Sequence, residues 1–87
     1  MTEKSTNKPV TIVGYVDPVD ENDRGAGIII TTGDGDEFIV ELDKEGMRLM
    51  NMIGEQVQVS GIVKRTKRGE EWIRVNKFKV LEYEENL

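Results

Sequence analysis

Hydrophobic and polar residues alternate along most of this chain with the two-residue period of strands half-buried in a sheet. Five segments carry the pattern. Residues 10–16 read Val-Thr-Ile-Val-Gly-Tyr-Val, β-branched and aromatic, with Pro9 at the mouth where a missing N–H costs little. Residues 27–32 are an isoleucine run ending in two threonines, and residues 37–42 read Glu-Phe-Ile-Val-Glu-Leu. Between them, Gly33-Asp34-Gly35-Asp36 places an Asp-Gly pair between two β-branched runs, a hairpin signal. In residues 55–63, Val57, Val59, Gly61 and Val63 share one face. In residues 71–81, Ile73 and Val75 face inward before the phase shifts to Phe78 and Val80, which predicts a bulge or bend near Asn76.

The third strand fixes its own orientation. Turning Glu37, Ile39 and Glu41 inward would bury two carboxylates, so Phe38, Val40 and Leu42 face the core. The second strand leaves two registers open. A two-residue turn at Asp34-Gly35 turns Ile29 inward, and a bulge at Gly33 turns Ile28 and Ile30 inward. Either register leaves an isoleucine outside beside Ile39.

Between the third and fourth strands the period lengthens. Asp43 is placed as an N-cap, residues 44–52 form a short helix, and Gly54 closes it. Met47, Met50 and Ile53 make an apolar stripe with Leu49 beside it, expected to plug the open end of a barrel. Gly46 weakens this helix by about 1 kcal/mol relative to Ala, so packing must hold it.

The predicted order is therefore β-β-β-α-β-β, an all-β domain with one short helix. Its first and fourth strands share a Val-x-Ile/Val-x-Gly-x-Val pattern centred on Gly14 and Gly61. A glycine in mid-strand marks a bulge or tight bend, as where a barrel strand curls. An SH3-like barrel has no place for a helix at 44–52. In strand order, helix position and the two glycine-centred strands, residues 10–83 resemble the small stand-alone domains of the OB-fold (oligonucleotide/oligosaccharide-binding) superfamily. The resemblance implies a five-stranded Greek-key barrel. It also implies a ligand face on the second and third strands, framed by the loops at 17–25 and 64–70. Residues 1–9 are expected to be a disordered lead-in, and 84–87 a frayed end.

Composition narrows the chemistry. With 87 residues the chain makes one domain, and 37% hydrophobic with 33% charged residues exclude wholesale disorder. Nothing approaches a membrane span of about 20 apolar residues, and the first eight residues lack a signal peptide's apolar stretch, so a cytoplasmic location is expected. With no cysteine or histidine there are no disulfides, thiolate or imidazole metal sites, or Ser-His and Cys-His pairs. No enzyme and no cofactor is expected. Asp17, Asp20, Glu21 and Asp23 offer oxygen ligands for a cation. Their spacing is not that of an EF-hand, and turns use the same residue types, so no metal site is assigned.

Charge supplies the candidate site. The formal net charge is −5, yet Lys64, Arg65, Lys67, Arg68, Arg74, Lys77 and Lys79 face only Glu70 and Glu71 within residues 64–79, a local +5 that leaves −10 for the rest. Lys64, Arg65, Lys67 and Arg68 crowd a hairpin tip, where cations bind phosphates by releasing counterions. Trp72 has outward parity with Ile62, Lys64 and Arg74, as base stacking requires. The expected partner is single-stranded nucleic acid, held weakly and with little sequence preference, with Arg74 and Lys77 extending the track. Glu37, Ile39 and Glu41 on the outer row of the third strand argue against the usual OB track. The alternative is a protein partner on an apolar strip of Ile28, Ile29 or Ile30 with Ile39.

Overall fold

Each strand of an alternating chain has one face that is costly to leave in water, and a sheet closed on itself buries all of them without leaving an edge. The structure, a computed structural model, describes residues 8–19 and 27–81. They form β1 (Val10–Pro18), β2 (Ile28–Thr32), β3 (Glu37–Val40), a helix α1 (Lys44–Leu49) running into a 3₁₀ turn (Met50–Met52), β4 (Gln56–Arg65) and β5 (Glu71–Val80). The strands close in the order β1-β2-β3-β5-β4, antiparallel at every seam except the parallel one between β3 and β5. A closed five-stranded barrel with one short helix between β3 and β4 is compatible with an OB fold. Of the expected lead-in at 1–9, only the exposed Lys8 and Pro9 are described. The expected frayed end at 84–87, residues 82–83 and residues 20–26 of the first loop lie outside the described residues.

Parity places the core. Val16, Ile28, Ile30, Val57, Val59 and Ile73 are fully buried, and Phe38, Val40 and Val75 nearly so. The open register of β2 resolves to Ile28 and Ile30 inward, with Ile30 opposite Phe38 and Ile29 opposite Ile39 on the outer face. Neither expected turn produces it. The loop has three residues, 33–35, and Gly35 rather than Gly33 takes the left-handed conformation, at φ +96°. Three-residue hairpins place a glycine there, so the register follows from the second glycine of the pair. Leu42, expected inward, is 41% exposed, because β3 ends at Val40 and the chain turns toward the helix cap.

Both mid-strand glycines lie where strands bend against each other. A Cβ at Gly14 would run into the Thr31 carbonyl oxygen, and one at Gly61 into that of Arg74. Gly14 stands where β1 pairs with β2 and β4 at once, opposite both Thr32 and Val57. At Gly61 the β4–β5 register slips. Ser60 pairs with Lys77 and Gly61 with Val75, which leaves Asn76 as the extra residue of a bulge, as the phase shift predicts.

The helix forms as its cap predicts, with the Gly46 N–H donating to Asp43 Oδ1 at 3.1 Å. Its buried stripe is not the expected one. Leu49 is fully buried, Met50 and Met52 pack against the core, and Met47 and Ile53 are 52% and 48% exposed. The stripe rotates because the helix seats Gly46 against the end of β3, where a Cβ would run into the Glu41 carbonyl oxygen. The plug is thus Leu49, one turn on from Gly46. From the other side of α1, the Arg48 guanidinium lies 6.0 Å from the Phe78 ring centre on β5.

Candidate nucleic-acid interface

The basic hairpin owes its shape to one threonine and one glycine. Thr66 N–H donates to the Glu70 carbonyl at 2.8 Å, Gly69 N–H to the Thr66 carbonyl at 2.9 Å, and Glu70 N–H to Thr66 Oγ1 at 3.1 Å, with Gly69 at φ +91°. The β2–β3 hairpin repeats every one of these bonds with Thr32, Gly35 and Asp36. The two tips are therefore one turn, Thr-x-x-Gly-acid, used twice. The variable pair is Gly33-Asp34 in one and Lys67-Arg68 in the other, so a common scaffold presents two cations at the β4–β5 tip. This repeat is readable in the sequence as TGDGD and TKRGE, once the spacing rather than the charge is compared.

The four clustered cations separate in space. Lys67 and Arg68 are exposed at the turn. Lys64 lies opposite Trp72, and Arg65 opposite Glu71, on alternate sides of the ribbon. Arg65 Nη2 sits 3.3 Å from Glu71 Oε2, an exposed ion pair of the kind worth little in water. Among the described residues, Lys64, Lys67 and Arg68 are thus the tip cations outside any ion pair, and Arg65 shares its charge with Glu71.

Trp72 keeps the outward parity expected of it but is half-buried. It is paired with Ile39 across the parallel seam and with Lys64 on β4. Its indole Nε1–H donates to Glu70 Oε1 at 3.4 Å, and the ring lines a small apolar cleft with Ile28, Ile39, Val40 and Leu42.

The bulge at Asn76 decides where the remaining cations go. In an unbroken strand Lys77 and Lys79 would follow Val75 to the inside. The extra residue re-phases β5 so that Arg74, Lys77 and Lys79 all point outward, opposite Ile62, Ser60 and Gln58. Lys79 belongs with Arg74 and Lys77, although only those two were expected on the track. The next strand continues this face, with Thr11 beside Ser60, Val13 beside Gln58 and Tyr15 beside Gln56. The Thr11 and Ser60 hydroxyls hydrogen-bond at 3.2 Å. From Thr11 to Tyr15 on β1, from Gln56 to Lys64 on β4 and from Trp72 to Lys79 on β5, the outward rows hold no carboxylate.

The face implied by the OB resemblance is of opposite character. A groove of about 590 Å³ runs between the two hairpin tips over Ile29 and Ile39, and Asp36, Glu37, Glu70 and Glu71 line it. Phosphates would be repelled there. The expected apolar strip shrinks to Ile29 and Ile39, since Ile28 and Ile30 are buried. Of the acidic first loop, Asp17 lies on β1 and accepts a hydrogen bond from Thr31 Oγ1 at 3.0 Å. Asp20, Glu21 and Asp23 lie outside the described residues. Among the described residues, no helix is long and apolar enough to cross a membrane.

Compared with known proteins, the chain matches no family model and no curated protein.

Proposed function

We propose that this protein is a non-catalytic, cytoplasmic binding module of the OB type that holds single-stranded nucleic acid weakly and with little sequence preference. The observation that supports the reading is the re-phased β5. Through the bulge at Asn76, Lys77 joins Arg74 and Lys64 on one outer face, whose rows from Gln56 to Lys64 and from Trp72 to Lys79 hold no carboxylate, in a chain whose net charge is −5. Lys64, Lys67 and Arg68, with Arg65 after release from Glu71, neutralise phosphates at the hairpin. Arg74 and Lys77 carry the backbone along β5, and the exposed part of Trp72 stacks a base. The strand runs on the β4–β5 side, away from the acidic groove.

The single tryptophan supplies the assay. Titration with a short oligothymidylate at low ionic strength quenches its fluorescence. The four phosphates neutralised at the hairpin alone contribute about −3 to the log–log salt slope, at about −0.7 per phosphate. Absence of binding at low salt, or binding unchanged when Lys64, Arg65, Lys67 and Arg68 all become Ala, ends this reading.

A second reading is favoured by the groove. Its apolar floor and acidic rim suit a cationic, apolar segment of a protein partner, with Ile29 and Ile39 as the contact. Amide shifts on NMR titration separate the two. Oligonucleotide moves residues 64–79 under the first reading, and a partner or a second copy moves residues 28–41 under the second.

A further inference from the structure

Barrel closure brings to the basic ribbon a residue far from it in sequence. Tyr15 is 50% exposed on the outer face of β1, beside Gln56, and Val13, 41% exposed, follows on the same face beside Gln58 and, one strand further, Lys79. The outer row of β1 otherwise holds Thr11, Val13 and, opposite Ile29, Asp17. Tyr15 places a large ring there, at the opposite end of β4 from Trp72. We infer that the nucleic-acid track continues from β5 across β4 onto β1, and that Tyr15 is its second base-stacking residue. This rests on the functional reading above and extends it to a site size.

The geometry sets the length. Trp72 lies opposite Lys64, and Tyr15 lies opposite Gln56, eight residues earlier on β4. At about 3.3 Å per residue the two rings are offset by about 26 Å along β4, and the step from β5 across β4 to β1 adds roughly 10 Å sideways. A stacked strand advances about 3.4 Å per nucleotide and an extended one roughly twice that, so the span takes about four to eight nucleotides. That is the low end of the roughly 4–16 nucleotides that OB folds cover. Between the rings lie Arg74, Lys77 and Lys79 for phosphates, and the Gln56 and Gln58 amides for base edges. A tyrosine face is worth enough per stacked base to change affinity by about 5- to 150-fold, whichever base it meets.

The test is binding of a thymidine octanucleotide at low salt, followed by Trp72 fluorescence, to the full chain and to Tyr15→Thr and Tyr15→Phe. Both variants keep a β-forming residue at an exposed position, and thermal melting checks the fold. Tyr15→Thr is expected to weaken binding at least about fivefold, with the quench at saturation unchanged because the hairpin end still engages. Tyr15→Phe is expected to bind like the parent. Equal binding by Tyr15→Thr and the parent overturns the inference and leaves the functional reading standing. A loss as large in Tyr15→Phe assigns the effect to the hydroxyl and also overturns it. No binding by the parent overturns the functional reading itself.

Discussion

A Cβ at Gly61 would meet the Arg74 carbonyl oxygen and the Ile73 side chain, whereas one at Gly33 would meet nothing within 4 Å. Gly33 also lacks the positive φ of Gly35 and Gly69. The same substitution therefore has opposite signs at two glycines that composition cannot tell apart. Gly61→Ala pushes β4 off β5 at the bulge and is expected to destabilise by about 1–3 kcal/mol. Gly33→Ala removes freedom only from the unfolded chain and is expected to be neutral or to stabilise by up to about 1 kcal/mol. Urea unfolding midpoints of the two variants check the pair, and equal losses would refute the close-approach account of Gly61. The importance of Gly61 is legible in the sequence because Gly14 repeats its setting, a β-branched aliphatic residue two positions to either side. The choice between Gly33 and Gly35 is not, since both flank the same aspartate and only the hydrogen-bonded loop length separates them.

Elements were legible where one period dominates and obscure where two compete. β4 and β5 carry long alternation with a single phase error, so the strands, their inward faces and the bulge at Asn76 all follow from pattern. The helix is too short for its pattern to fix its rotation. Met47, Met50 and Ile53 are spaced as well as Gly46 and Leu49, and the largest side chains drew the stripe to the wrong face. Backbone contact at Gly46 settles it, and a residue without a side chain leaves no hydrophobic signal. The consequence is measurable. Leu49→Ala empties a fully buried position and is expected to cost about 2–5 kcal/mol, while Met47→Ala on the exposed side changes stability by less than about 0.5 kcal/mol. If denaturant unfolding finds Met47→Ala the costlier of the two, the helix sits on its methionines and not on Leu49.

At the scale of the whole molecule the barrel sorts charge that the chain mixes. Lys64, Arg74, Lys77 and Lys79 gather on the outside of β4 and β5, with Lys67 and Arg68 at the tip above them, and carboxylates from both hairpins rim the groove over β2 and β3. The first half of that separation was visible as a run of charge. The second needed the pairing of β3 with β5, which brings Glu70 and Glu71 beside Asp36 and Glu37, and a parallel seam between strands 30 residues apart has no local signature. This seam is also the shortest in the barrel. β3 meets β5 over Ile39–Trp72 and Val40–Ile73, extended by the Glu41 N–H donating to the Ile73 carbonyl at 3.0 Å, whereas β4 and β5 pair along nearly their whole length. Opening a closed sheet requires breaking one seam, and the one with fewest bonds opens at least cost. Amide hydrogen exchange is therefore expected to show the Glu41 amide exchanging through local opening, well before the amides of Val57 and Val59, whose protection tracks global unfolding. Glu41 protected as strongly as Val59 would mean that the barrel has no weak seam and opens only when it unfolds. Because Trp72 stands on this same seam, each opening also frees the indole from Ile39, so nucleic acid that stacks on Trp72 should alter the exchange of Glu41 while leaving that of Val59 to follow global stability.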